Sequence, residues 1–323
     1  MNIAETAAQL QTIQQAMILI HQSPDGDCIG SGYALAALLR QMGCHAVVRC
    51  SDPIPERYAF LAVEETPDTV DEDAAVILSV DVADRKLLGD LNEPYGGRVA
   101  LAIDHHIMHR SFAKECCLYP KAAAACEIVY AIAKELPVKL TPQIATCLYT
   151  GMATDTGCFQ FDNVTPHTLR IVADLMEQFP EIHYAWINRA MFAVKSMGRL
   201  RVEQKLIDQL HTSCNGKCVM ICITLAFMEQ YGLDPLDLDG LAGFPLQVEG
   251  AEVGITLKER DPNVFKVSMR SARTVDVAAI CKEFGGGGHI NIAGAQVKRP
   301  IDEVEDMLKE IIDELYQEEE NKK

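Results

Sequence analysis

Basic residues are scarce in this chain: 29 Lys and Arg stand against 46 Asp and Glu, a net charge of −17 over 323 residues. A field of that sign works against gripping long nucleic acid, which needs a broad cationic surface. A short polyanion held by a local basic patch or by metal ions stays open. No segment approaches the roughly 18 uninterrupted apolar residues of a membrane-spanning helix, so no membrane partner is expected. The first basic residue is Arg40, so no signal or transit peptide is expected. None of the twelve cysteines forms a Cys-x-x-Cys pair, which excludes zinc-ribbon spacing. Most sit in apolar or helical patterns, among them Cys126, Cys147, Cys218 and Cys222. They read as reduced, buried small hydrophobes in a cytoplasmic protein. No internal repeat is visible.

What is present fits two domains, with apolar residues at 49%, enough for ordinary cores. Short apolar strands are expected at Ala16–Ile20, Ala46–Cys50, Ala74–Val80 and Val99–Ile103, between helical patterns at 2–15, 29–42, 85–91, 122–135 and 141–153. Gly43 stands where a glycine closes a helix. This alternation predicts an α/β domain over 1–190, with a mostly parallel sheet flanked by helices. A charged helical stretch, 191–212, reads as a linker. A smaller α+β domain over 213–323 follows, ending in an acidic helix from about 301 to 316.

The chemistry gathers at the strand ends. Val99–Ile103 runs into Asp104-His105-His106, three polar side chains that are expensive to bury unpaired. The turn after the first strand holds His21, Asp25 and Asp27; Asp81 ends the third strand, and Asp155 follows a helix in the segment Thr150–Gly157. Taken alone, His21 reads as a structural histidine, Asp25-Gly26 as a common turn and Asp155 as a helix cap. Taken together, carboxylates this close would repel without cations among them. Mixed Asp and His suit Mn2+ better than Ca2+, or than a structural Zn2+, which would recruit Cys. Six candidate ligands exceed what one open catalytic ion needs, so two ions sharing a carboxylate are the economical reading.

The ordered set (His-x3-Asp-x-Asp, a strand-end Asp, Asp-His-His, then Asp in Thr-Asp-Thr-Gly) resembles the DHH phosphoesterase superfamily. Gly285–Gly288 with His289, followed by Ala293-Gly294, resembles its associated C-terminal domain. Length and domain pair are most similar to the bacterial oligoribonuclease/pAp phosphatases. The resemblance implies that His21, Asp25 and Asp81 hold one divalent ion. Asp27, Asp81, His105 and Asp155 would hold the other, with Asp81 bridging. Mn2+ is the expected ion, with Mg2+ or Co2+ as substitutes. It also implies His106 at the scissile phosphate and Asp104 as the acceptor that orients the histidines. Asp81, Asp104 and His106 are thus the expected catalytic residues, and a homodimer fits the family. Three positions depart from the pattern: His109 stands where Asn is common, Cys158 replaces a small hydroxyl residue, and Ile292 replaces Ala.

One stretch of the second domain carries the opposite charge. From Lys258 to Arg299, eight basic residues face four acidic ones, a local +4. Glycines at 285–288 would let backbone N–H groups cradle an anion, with His289 and Asn291 adding donors. Arg270-Ser271 matches the family's Arg-Ser pair, and a guanidinium there can grip a phosphate. The expected activity is hydrolysis of short oligoribonucleotides, of 3'-phosphoadenosine 5'-phosphate (pAp), or of both, to mononucleotides, with the second domain holding the far end of the substrate. Competing readings are a cyclic or linear dinucleotide (c-di-AMP or pApA) phosphodiesterase and a non-catalytic nucleotide sensor.

Overall fold

Short apolar runs alternate with helices up to residue 194, and the runs assemble into one sheet. The computed structural model describes residues 1–62, 69–233, 238, 240–273 and 275–321, the side chains of residues 289 and 318–321 excepted. Its first unit, Met1–Val194, holds α1 (Ile3–Leu10), β1 (Gln15–Leu19), α2 (Gly26–Gln41), β2 (His45–Arg49), β3 (Val76–Val80), α3 (Asn92–Tyr95), β4 (Val99–Asp104) and β5 (Glu115–Leu118). Four helices follow: α4 (Ala125–Glu135), α5 (Pro142–Asp155), α6 (Pro166–Gln178) and α7 (Tyr184–Asn188). The five strands pair in parallel, in the order β2-β1-β3-β4-β5. That order reverses between β1 and β3, and open α/β sheets bind ligands in the crevice beyond the strand ends at such a reversal.

Both faces of the sheet are covered. Ala16 and Ile18 of β1 join Leu78, Leu101 and Ile103 in a core under the helices, while Met17 and Leu19 join Val47, Ile77 and Leu88 on the other side. Each such side chain stabilises the fold by about 1.5–3 kcal/mol. Two-sided burial is why β4 reads as an unbroken apolar run. α2 begins at Gly26, earlier than its apolar spacing predicts, because Asp25 caps it: Oδ1 accepts from the amides of Asp27 and Cys28 at 3.1 Å. At its far end Gly43 (φ +83°) donates to Arg40 O, and Cys44 N donates to Leu39 O, the expected glycine closure. α1 stops at Leu10, short of the expected 15, since Gln15 already belongs to β1. β5, Glu-Cys-Cys-Leu, is an edge strand too short to show in the sequence pattern.

The second unit, Lys195–Lys323, comprises α8 (Met197–Ile207), β6 (His211–Ser213), β7 (Cys218–Ile223), α9 (Leu225–Tyr231), β8 (Val253–Asp261), β9 (Val264–Ser271), α10 (Val277–Glu283), β10 (Gly287–His289), β11 (Ile292–Lys298) and α11 (Ile301–Asn321). Its six strands run β10-β11-β9-β8-β7-β6; β7 and β8 are parallel and the other pairs antiparallel. α10 and α11 cover one face through Val277, Ile280, Val304, Leu308 and Ile312. The stretch expected as a linker is partly core: Val202 and Leu206 of α8 pack with Ile221, Ile223 and Phe227. Their i, i+4 stripe is hidden in the sequence by the charges around it. Among the described residues, no helix is long and apolar enough to cross a membrane.

Candidate metal centre

The exits of β1, β3 and β4 and the ends of α2 and α5 bring together His21, Asp25, Asp27, Asp81, His105 and Asp155. His21 Nδ1 lies 2.8 Å from Gln22 O, to which it donates, so Nε2 is left facing Asp25 Oδ1 and Asp81 Oδ2, each 3.7 Å away. Asp81 follows β3 with φ +59°, a left-handed conformation that Asp tolerates better than branched residues. Its amide donates to Ile103 O at 3.0 Å, tying the β3 exit to β4. The carboxylate is 3% exposed, and Oδ1 has no hydrogen-bond partner among the described residues. An orphaned buried carboxylate oxygen is costly unless a cation meets it.

His105 repeats the His21 arrangement. Nδ1 donates to Ala122 O at 3.1 Å, and Nε2 stands 3.4 Å from Asp81 Oδ1, 3.5 Å from Asp155 Oδ2 and 3.9 Å from Asp27 Oδ2. Asp81 therefore faces both imidazoles, one through each oxygen. Asp27 is fully buried and accepts from the amides of Ala125 (2.6 Å) and Cys126 (3.0 Å), the open N-terminus of α4. Asp155 is the last residue of α5, not an N-cap. Close packing of α2 on α5 sets the distance between these two carboxylates: a Cβ on Gly30 would stand 2.4 Å from Cys147 O. The centre opens to solvent at Asp25, His106 and Asp155, whose side chains are 50, 35 and 28% exposed.

Asp104 sits beneath this cluster, fully buried. Oδ1 accepts from His105 N (2.9 Å) and His106 Nδ1 (2.7 Å), and Oδ2 accepts from His109 Nδ1 (2.6 Å). His109, the family departure, is thus a second imidazole on the orienting carboxylate. Its side chain is 2% exposed and stacks on Phe112.

Crowded anions set the protonation. Burial pulls His21 down, but hydrogen bonds to Asp25 and Asp81 outweigh it and hold its pKa well above the imidazole range. The same contest, with Asp81, Asp27 and Asp155 as the anions, pushes His105 up to about 11. Burial, then the charge of Asp81, raises Asp27 to about 7; burial and Asp27 hold Asp155 well above the usual carboxylate range. Protons here occupy positions that a divalent ion would take over. The donor set, the two Nε2 atoms freed by backbone carbonyls and the orphaned Asp81 Oδ1 all fit divalent metal ions. Cys28, counted in the sequence as a small hydrophobe, also lies in this cluster, with donor atoms of His21, Asp25, Cys28 and Asp81 all within 4.8 Å of one another. Its place on the first turn of the helix that Asp25 caps was the available signal.

In the second unit Arg270 lies on β9 between Gly254 of β8 and Ile292 of β11, half-buried, its side chain making no ion pair or hydrogen bond to another described residue. Burial lowers its pKa from the ordinary guanidinium value. Ser271 does not join it, because successive strand residues face opposite ways. Ser271 is buried, donates its hydroxyl to Val275 O at 2.7 Å and lies 3.2 Å from Asn291 Oδ1. The glycine run also differs from an anion nest. Gly285 (φ +71°) and Gly286 give their amides to Lys282 O and Cys281 O, closing α10, and Gly287–His289 pair with β11. A Cβ on Gly286 would stand 2.2 Å from Gly294 O, and one on Gly288 2.3 Å from Ile292 O, so close strand approach demands glycine there. The side chain of His289 lies outside the described residues.

Residues 15–152 match the DHH family, N-terminal domain, and residues 215–317 match the DHHA1 domain. The bifunctional oligoribonuclease and PAP phosphatase NrnA of Thermus thermophilus is 33% identical over 284 residues, 87% of this chain and 83% of that protein. The protein of the same name from Bacillus subtilis is 25% identical over 281 residues, 86% of this chain and 87% of its own length. An exopolyphosphatase-related protein from Bacteroides fragilis shares the fold, with a TM-score of 0.85 at 22% identity over 97% of this chain and 95% of that one. With these motifs in order and a relative this similar over most of its length, the chain belongs to the DHH family of phosphoesterases.

Proposed function

We propose that this phosphoesterase cuts short oligoribonucleotides and pAp to mononucleotides, the first unit catalysing and the second binding substrate. Asp81 carries the reading: a buried carboxylate that turns one oxygen to each of two groups of donors, with no hydrogen bond to Oδ1 among the described residues. His21, Asp25 and Asp81 would hold one ion, and Asp27, Asp81, His105 and Asp155 the other; Mn2+ suits such carboxylate–imidazole sets. When bound, two such ions acidify water toward neutral pH and neutralise phosphoryl oxygens. Asp104 fixes the His106 tautomer by taking Nδ1–H, so that Nε2 is presented to a phosphoryl oxygen. Burial lowers the His106 pKa, but the hydrogen bond to Asp104 and then the charge of Asp81 outweigh burial and raise it. Arg270, half-buried and with no side-chain ion pair among the described residues, offers a bidentate grip for a second phosphate. The names of the Thermus and Bacillus relatives favour short RNA and pAp as substrates. Twelve cysteines, none of them in a disulfide, favour a reducing cytoplasm.

A product assay with Mn2+ across pAp, pApA, c-di-AMP and RNA from dinucleotides to decamers tests this. Mononucleotides should form from pAp and the shortest RNAs, with rates falling as length grows. Cleavage confined to c-di-AMP or pApA would replace this reading with the dinucleotide one. Metal binding without any hydrolysis would leave a nucleotide sensor.

A further inference from the structure

Resting on that metal centre, we propose that Cys28 is a sulfur ligand of the ion held by His21, Asp25 and Asp81, making that position selective for thiophilic divalent ions such as Zn2+ or Co2+. Donors on opposite sides of one ion stand about 4–4.6 Å apart, twice a bond of roughly 2.0–2.3 Å. The atoms of His21, Asp25, Cys28 and Asp81, mutually within 4.8 Å, satisfy this with little movement. The thiol is fully buried, makes a long 3.6 Å contact to Asp25 O and interacts with the His21 imidazole, so it is turned into the donor group. On this side Asp81 offers its other oxygen, Oδ2, 3.7 Å from His21 Nε2, so the group already contains a buried anionic ligand for a cation.

The two donor groups then differ in softness. Asp27, His105 and Asp155 offer only oxygen and nitrogen, which suit Mn2+ or Mg2+, whereas a thiolate beside His21 selects Zn2+ or Co2+. The centre is a mixed-metal one, with the softer ion on the β1 side. Binding breaks the S–H bond of Cys28, forms a metal–sulfur bond and releases the proton to solvent, with no change of oxidation state. Of the twelve cysteines, Cys28 alone falls in a group of three or more ligand-type side chains among the described residues.

The test uses the full chain, reduced, freed of metal by a chelator and titrated with Co2+. A near-ultraviolet sulfur-to-cobalt charge-transfer band should accompany the visible cobalt bands. In Cys28→Ser that band should vanish while the number of bound cobalt ions stays the same. The preference for Zn2+ over Mn2+ in competition should fall by about tenfold or more. Cobalt bound without the band, or a band that survives in the variant, overturns the proposal and leaves the metal centre standing. Failure to bind cobalt at all removes the metal centre and the proposal with it. If the Ser variant does not fold, zinc X-ray absorption on the unaltered protein decides: a sulfur shell at about 2.3 Å supports the ligand, and a purely oxygen and nitrogen shell refutes it.

Discussion

Asp104 holds its charge in a place with no access to water because three donors meet it. Burial pushes its pKa up, but hydrogen bonds from His106 and His109 outweigh that and hold it well below the usual carboxylate range. His109 supplies the second of these imidazoles. His109→Ala would strip Oδ2 of its partner, and an unsatisfied buried acceptor destabilises by about 1–3 kcal/mol. It would also loosen the support under His106, so kcat should drop by about 10–100-fold with KM little changed. Denaturant unfolding and steady-state kinetics on pAp read the two effects, and His109→Asn, which keeps a donor, should lose less of both. A large rise in KM with kcat intact would place His109 against substrate instead.

Helices α2 and α5 decide how near Asp27 comes to Asp155. The Cβ of Gly30→Ala would press on a backbone carbonyl that cannot swing aside. Such overpacking destabilises by about 1–3 kcal/mol. By parting the helices it should weaken metal binding at Asp27, His105 and Asp155 more than at His21 and Asp25; calorimetric titration would show one of two binding steps fading. α8 offers a pH test in the second unit. Glu203 bonds Lys195 (2.9 Å) and Arg199 (2.7 Å). Burial raises its pKa, but these two cations more than cancel that and lower it. A lowered folded-state pKa means stability that is present above the ordinary Glu value, about 4.3, and lost as pH falls through the folded value. Glu203→Gln should therefore destabilise α8 by about 2 kcal/mol at neutral pH, the difference shrinking in acid. Hydrogen exchange of α8 peptides at both pH values would measure it, and a gap that widens in acid would contradict the assignment.

Each of the two units has its own core, so each should answer to a different perturbation. Ions that bind only the native state add about 2.7 kcal/mol at a hundredfold excess over Kd. Chelation should lower the melting temperature of Met1–Val194, reported by the single Trp, Trp186, and leave the second unit unchanged. Substrate binding should divide the other way. Arg270→Ala should raise KM for a dinucleotide and spare an artificial small phosphoester; an equal fall in kcat on both substrates would count against a distal phosphate grip.

Much of the first unit was legible in the residues. Buried parallel strands read as apolar runs, and charged side chains at their exits stand out against them. His21, Asp25, Asp27, Asp81, His105 and Asp155 could be named on that ground, and the sheet order brings their strand and helix ends together. Less visible was whatever depends on facing. Cys28 looks like any buried thiol until the α2 cap turns it toward His21, and His109 looks like a surface residue until it folds onto Asp104. Arg270 and Ser271 read as a pair, although strand alternation sends them to opposite faces, and the glycine run reads as an anion cradle although β11 lies against it. Periodicity along a chain reports which groups are buried. Which groups meet is set by packing between segments far apart in the sequence, and only the folded structure decides that.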